Sequence, residues 1–231
     1  MNKMVGVIGG MGPMATAKFM ELVINNTKAS SDQDNVDMLI CQYSSIPDRT
    51  SYILDNNNES PLDKLIEAAK LLERENCDFL VMPCNTATYF YNSIVSNIKI
   101  PLLNIVEETV NYCINKGAKK IGLMATDGTL KAKVYEEYIL DDCELFIPNA
   151  EEQRKIMDII YKEVKQNMIP NKDNFLKVID YFKENNCDVI VMGCTELSVA
   201  VEQLDINDDK IVDSLTVLAK LTIEKAGKVL K

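Results

Sequence analysis

Apolar positions along this chain gather into short runs, and the segments between them carry helical spacing. Residues 4–9 form an apolar run of strand length. Gly10-Met11-Gly12 then turns the chain, and Pro13 suits the first turn of a helix reaching about residue 28. Residues 36–43 read as a second strand and residues 44–59 as a long polar loop. Ser60-Pro61-Leu62-Asp63 reads as a capping box opening a helix to about residue 75. A third strand is expected at 78–82, a helix from about Thr86, and a short fourth strand at 102–104. The same order then begins again. It runs through a helix near 107–116, a strand at 120–125, a turn at Thr126-Asp127-Gly128-Thr129 and a weak strand at 144–147. Helices at about 150–166 and 172–185, strands at 188–192 and 210–212, and a last helix capped by Asp213-Ser214 complete it. Strands that alternate with helices predict an α/β fold with mostly parallel sheets.

One stretch of this pattern is written twice. Residues 76–84 read N-C-D-F-L-V-M-P-C and residues 186–194 read N-C-D-V-I-V-M-G-C, identical at six of nine positions. The run M-V-G-V-I at 4–8 has an echo in K-I-G-L-M at 120–124. The interval between copies is 110 residues, far beyond a solenoid repeat, so the duplication predicts two similar halves. The expected architecture is two pseudosymmetric domains, each a short, mostly parallel sheet flanked by helices. Residues 1–106 with 212–231 would form the first, carrying Cys84, and residues 107–211 the second, carrying Cys194. Ligands of open parallel sheets bind at the carboxyl ends of the strands. Each of these two cysteines stands at such an end, just before an expected helix, where amide N–H groups and the helix dipole favour thiolate. The other five cysteines sit in or beside apolar runs and read as small buried hydrophobes.

Composition narrows the chemistry. The chain of 231 residues carries a net charge of −10, which disfavours nucleic acid and leaves room for a small anionic ligand in a locally positive site. No apolar run is long enough for a membrane span and none resembles the apolar part of a signal peptide. Seven cysteines then read as reduced thiols in the cytoplasm. There is no histidine, which excludes Ser-His-Asp and Cys-His pairs and histidine-based metal sites. Two thiols without a metal leave disulfide exchange, which favours neighbouring cysteines, or proton transfer at carbon from two faces. The turn at Gly10 to Ala15 fits G-x-G-x-x-A. The second strand, however, ends Cys41-Gln42-Tyr43-Ser44, without the acid that holds a dinucleotide ribose. A carboxylate-facing turn is preferred there, beside a plain tight turn with no ligand. Among three arginines, Arg49 lies nearest the ligand edge and can hold a carboxylate bidentately, with Lys165 as a second candidate cation.

The residues that carry a family resemblance are I-G-G-M-G-P at 8–13 with Ala15-Thr16, I-P-D-R-T at 46–50, M-P-C-N-T-A at 82–87 and G-C-T-E-L at 193–197. In these the chain resembles the aspartate/glutamate racemase family, and within it the aspartate racemase branch. The resemblance spans both halves. It implies cofactor-independent racemisation of an acidic amino acid, aspartate first and glutamate second, between two pseudosymmetric domains. It places Cys84 and Cys194 as the catalytic pair, Cys194 serving the L-enantiomer and Cys84 the D-enantiomer. Arg49 and Lys165 become carboxylate-holding cations. Asn85, Thr86, Thr126 and Thr195 become further substrate contacts, and Gly10, Met11 and Glu196 are expected to bind substrate beside them. It also implies a homodimer. Glutamate racemases typically follow the second cysteine with Thr-His, whereas this chain has Thr195-Glu196. Rival readings are a catalytically silent dicarboxylate-binding protein, a related thiol-dependent racemase or decarboxylase, and a nicotinamide-dependent oxidoreductase.

Overall fold

The structure, a computed structural model, describes residues 3–231. Its described residues build two four-stranded sheets. The first contains β1 (Val5–Gly9), β2 (Met38–Gln42), β3 (Phe79–Val81) and β4 (Leu102–Leu103) in the order β2-β1-β3-β4. The second contains β5 (Lys120–Met124), β6 (Glu144–Phe146), β7 (Val189–Met192) and β8 (Ile211–Asp213) in the order β6-β5-β7-β8. Within both sheets every pairing is parallel and the strand orders correspond, so the two halves share one topology.

The repeated Asn-Cys-Asp has a structural explanation in both copies. Asn76 and Asn186 adopt φ of 61° and 59°, the left-handed conformation that asparagine tolerates and that stops a helix. They end α3 (Leu62–Arg74) and α8 (Lys172–Glu184). The next amide closes each end, Cys77 N donating to Leu72 O at 3.2 Å and Cys187 N to Phe182 O at 3.1 Å. The two thiols pack on Gly6 and Gly122, where an added Cβ would come within 3.1 Å and 3.0 Å of sulfur. Burial pushes the Cys187 thiol up to about 11, so it stays neutral. The aspartates tie each third strand to the first. Asp78 accepts from Met4 N at 2.7 Å, and Asp188 from Lys119 N and Lys120 N at 2.8 and 2.9 Å.

Alternation along the strands sorts the core. Val5, Val7, Phe79, Val81, Val189 and Val191 share one buried cluster with α1 (Pro13–Asn26), α5 (Ile105–Asn115) and α10 (Ser214–Lys225). Leu80 and Met82 point the other way, onto α3, and Ile190 and Met192 onto α8 and α7 (Ala150–Asp158). After β8 the chain runs straight into α10, which packs against both α1 and α5. Val212 and Asp213 still pair with β7, so the chain leaves the second sheet after Asp213 rather than at residue 212.

Four expectations change. The polar loop at 44–59 contains a helix, α2 (Arg49–Leu54), whose N-cap Asp48 accepts from Ser51 N at 2.8 Å. Arg49, Thr50 and Ile53 are buried, and α2 packs on α6 (Asp127–Ala132). Gly128 permits this approach, since a Cβ there would lie 2.8 Å from Thr50 Cα. So short a helix is held by packing rather than by propensity, and its Asn-rich flank hides it. The capping box at Ser60 does not form. Ser60 Oγ instead accepts from Leu62 N at 3.3 Å, with Pro61 at the cap position. After Cys84 the chain takes a 3-10 turn (Thr86–Phe90) and then α4 (Tyr91–Val95), not an α-helix from Thr86. The helix expected at 150–166 is α only to Asp158. It widens to a π turn over Ile159–Glu163 and tightens to a 3-10 turn over Val164–Gln166, presenting Tyr161 and Lys165.

Candidate active site

The carboxyl ends of β3 and β7 open on one narrow cavity between both halves, with about 10 Å³ of room, close to that of a single water. Cys84 and Cys194 both line it, and both are buried. Met11, Arg49, Asn85, Thr86, Thr126, Lys165, Thr195 and Glu196 line it too. Gly10 does not. It borders a wider outer chamber that shares Asp48, Arg49, Lys165 and Glu196 as a common wall. Gly10 has φ of 96°, and a Cβ there would lie 2.4 Å from the Tyr43 carbonyl carbon. Its amide donates to Thr16 Oγ1 at 2.9 Å. The glycine is therefore demanded by backbone approach, and its N–H is already spent rather than offered to a carboxylate.

Charges of both signs meet in the shared wall. Arg49 is 8% exposed; its Nη1 donates to Pro47 O at 2.9 Å and Ile46 O at 3.3 Å. Its Nε is buried with no partner among the described residues. Lys165 Nζ reaches Asp48 Oδ2 at 3.3 Å and lies 4.0 Å from the Tyr161 ring centre. Burial alone would lower the Lys165 pKa, but the charge of Glu196, with Tyr161 and Asp48, outweighs it and raises it. Burial likewise opposes ionisation of Asp48, and Lys165 with the Ser51 amide turns the balance, so its pKa falls below the usual carboxylate range.

The sequence favoured a thiolate at both strand ends, and for Cys194 the structure reverses that. Cys194 is the N-cap of α9 (Thr195–Gln203), yet its Sγ donates to Glu196 Oε2 at 3.0 Å. Burial first, then the charge and hydrogen bond of Glu196, raise its pKa well above the usual thiol value. Desolvation and a carboxylate in contact outweigh the few amides of one helix turn. Cys84 stands before a 3-10 turn of five residues, Thr86–Phe90, too short for a full α-helix dipole.

Polar groups from both halves meet at the cavity floor. Thr126 Oγ1 lies 3.1 Å from Thr50 Oγ1, 3.0 Å from Thr86 Oγ1 and 3.1 Å from Thr129 Oγ1. Sequence reasoning missed Asp48, Thr50 and Tyr161 as cavity residues. Asp48 and Thr50 lay inside the I-P-D-R-T segment already singled out. Tyr161 stands four residues before Lys165, a spacing that puts both on one helix face.

Comparison with known proteins decides the family. The model of the Asp/Glu/Hydantoin racemase family matches residues 8–222. The chain belongs to that family. It is an amino-acid racemase, an isomerase acting on a small-molecule substrate. The aspartate racemase of Picrophilus torridus superposes with a TM-score of 0.87 at 31% identity, over 99% of this chain and 96% of that one. The broad specificity amino-acid racemase RacX of Bacillus subtilis (strain 168) is 28% identical over 226 residues, 95% of this racemase and 96% of RacX. Glutamate racemase of Francisella tularensis in complex with D-glutamate shares the fold, with a TM-score of 0.65 at 18% identity over 97% of this chain and 81% of its own. No helix among the described residues is long and apolar enough to cross a membrane. No group of three His, Cys, Asp or Glu among them is placed to hold a metal ion.

Proposed function

We propose that this racemase inverts an acidic amino acid, aspartate ahead of glutamate, by passing protons between Cys84 and Cys194 without a cofactor. One observation carries the reading. Two thiols from equivalent strand ends of a duplicated fold line one cavity that is also lined by Arg49 and Lys165. Inversion at carbon needs a base on one face and an acid on the other. A single base tends to return the same proton to the same face. Halves related by duplication present one thiol to each face.

The α-proton of an amino acid is weakly acidic, so the site must stabilise the carbanion that forms. Burial of both thiols excludes water and strengthens every charge in the cavity. Arg49, with its Nε free, takes the side-chain carboxylate, and Lys165 supports it. Asn85 and the hydroxyls of Thr86 and Thr126 take the α-carboxylate. Cys194, held as a thiol, gives its proton to the carbanion. When the reaction runs the other way, Glu196 accepts that proton first, through the existing 3.0 Å hydrogen bond. Cys194 then faces the L-enantiomer and Cys84 the D-enantiomer. Aspartate is placed first because the Picrophilus relative is named an aspartate racemase and because Glu196 stands where glutamate racemases typically carry histidine. The two halves act as domains closing on the substrate, and the protein is a cytoplasmic homodimer, which sedimentation would test.

Incubation with L-aspartate and with L-glutamate, without added cofactor, followed by enantiomer resolution, tests the activity. In deuterated water, the earliest product should carry deuterium at the α-carbon, because the returning proton comes from the second, solvent-equilibrated thiol. Cys84→Ala and Cys194→Ala should each abolish inversion, while each can still wash the α-proton out of one enantiomer. Parent rates in both variants, or early product that keeps the substrate's own proton, would refute the two-thiol mechanism.

A further inference from the structure

Behind the cavity wall runs a buried chain of hydrogen bonds that the proton transfers do not use. Ser214, the first residue of α10, is fully buried, and its Oγ lies 2.7 Å from Met192 O. A carbonyl only accepts, so the single hydroxyl proton of Ser214 goes to Met192. Ser214 Oγ must then accept from its other neighbour, Asn85 Nδ2, at 2.9 Å. That fixes which way round the Asn85 amide stands. Its oxygen faces Tyr135, whose O–H donates to Asn85 Oδ1 at 2.7 Å. Tyr135 is fully buried, and burial holds its phenol protonated, well above the usual pKa. Every direction in the chain follows from the one carbonyl at its end.

Two features separate this from ordinary helix capping. Asp213 already caps α10, accepting from Leu215 N at 3.1 Å and Thr216 N at 3.2 Å, so the helix start does not need the Ser214 hydroxyl. The chain also joins the two thiol turns. Met192 lies two residues before Cys194, and Asn85 directly follows Cys84. Asn85 lines the cavity, and Nδ2 keeps a second hydrogen that no atom of the described residues accepts. With the amide the other way round, the cavity would receive a carbonyl oxygen, which repels a carboxylate.

The structure assigns to Ser214 a positioning role. It holds Asn85 with an N–H turned to the cavity, as a donor to the α-carboxylate of the amino-acid substrate. Tyr135 does the same from the oxygen side. The inference rests on the racemase activity and on Asn85 meeting substrate, not on the choice of aspartate, because every amino acid carries an α-carboxylate.

The test is a double-mutant cycle on kcat/KM, run with L-aspartate, L-glutamate and L-alanine and read on the substrate turned over fastest. Ser214→Ala should lower kcat/KM roughly 10- to 100-fold, the usual worth of one hydrogen bond to a charged group, and should also lower the melting temperature, because Met192 O and Asn85 Nδ2 each lose a buried partner. In an Asn85→Ala background, which keeps both thiols, the same substitution should cost less than about two-fold, because its partner is gone. A packing role for Ser214 would give one factor in both backgrounds, and that result overturns the proposal. Parent kcat/KM in Ser214→Ala overturns it too. Should Ser214→Ala fail to fold, Tyr135→Phe removes a single oxygen and carries the same cycle. A parent that inverts L-alanine faster than L-aspartate would defeat the acidic-substrate reading and leave this cycle readable.

Discussion

Arg49 offers the sharpest separation of function from stability. Among the described residues its Nε is buried without a partner, and only Nη1 is held, by Ile46 O and Pro47 O. A carboxylate meeting Nε and a second guanidinium hydrogen would gain two charge-assisted bonds, at about 1.5–3 kcal/mol each. Arg49→Leu should therefore remove about 3–6 kcal/mol from the transition state, a fall of roughly 10²- to 10⁴-fold in kcat/KM for aspartate. Stability should hardly move. The lost bonds to two carbonyls are offset by removal of a buried cation with an unsatisfied nitrogen, itself a cost of about 1–3 kcal/mol. A net change of about 1 kcal/mol shifts the melting temperature by about 2–4 °C in a chain of this size. Arg49→Lys should recover only part of the activity, because a point charge does not reproduce the planar fork. Circular dichroism of the aspartate enantiomers follows turnover, and thermal melting with and without succinate follows stability and binding. The parent should gain about 2.7 kcal/mol at one hundred times the dissociation constant, and Arg49→Leu should gain almost nothing. Full activity in Arg49→Leu, or an activity loss matched by an equally large loss of stability, would refute the reasoning.

Three further outcomes follow from single contacts. Burial and the charge of Glu196 keep Cys194 protonated, so Glu196→Gln should lower the thiol pKa and start alkylation of Cys194 by iodoacetamide at a lower pH; an unmoved onset, read by mass spectrometry, would separate the two groups. Gly128→Ala places a Cβ 2.8 Å from Thr50 Cα, so α2 and α6 must part. Overpacking of this kind costs about 1–3 kcal/mol, and an unchanged melting temperature would contradict the close approach. In hydrogen exchange without ligand, residues 49–54 should be slow and the exposed residues 55–59 fast, whereas uniform fast exchange across both would return the segment to a free loop.

The duplicated stretch made the fold readable because each of its letters does local work. Asparagine stops a helix, cysteine packs on a glycine of the first strand, and aspartate ties the strand ends, so a repeat in sequence had to be a repeat in topology. The thiols at its far ends were legible for the same reason, since strand ends of parallel sheets converge on the ligand edge. What stayed hidden depends on contacts distant in sequence. The six-residue helix α2 exists because Gly128 lets Thr50 come close, and nothing near Thr50 announces that. Gly10 misled by its motif: the same G-x-G-x-x-A serves a turn whose amide bonds to Thr16. Thiolate at Cys194 was inferred from helix position alone. Its neighbour Glu196 was visible in the sequence, but its carboxylate turns back on the sulfur only in three dimensions.

The duplication supplies two equivalent thiols, and their neighbours make them unequal. Two residues after Cys84 stands Thr86, whose hydroxyl joins the threonine cluster; two residues after Cys194 stands Glu196, whose carboxylate accepts from the thiol. Under the proposed two-thiol mechanism, running one way, Cys194 already holds the proton it must give. Running the other, it must first surrender that proton to Glu196. The two directions therefore pass through different resting charges. Enantiomers in water have equal free energy, so the equilibrium constant is one and kcat/KM must be the same in both directions at every pH. The asymmetry built into the site cannot appear in that ratio. It must appear in kcat and KM separately, moving together so that the ratio holds. In Glu196→Gln, which cannot take that proton, the direction that needs it should lose kcat, with KM falling in step. Parent kcat and KM in both directions of Glu196→Gln would mean that Glu196 takes no part in the proton's path, whatever its distance from the sulfur.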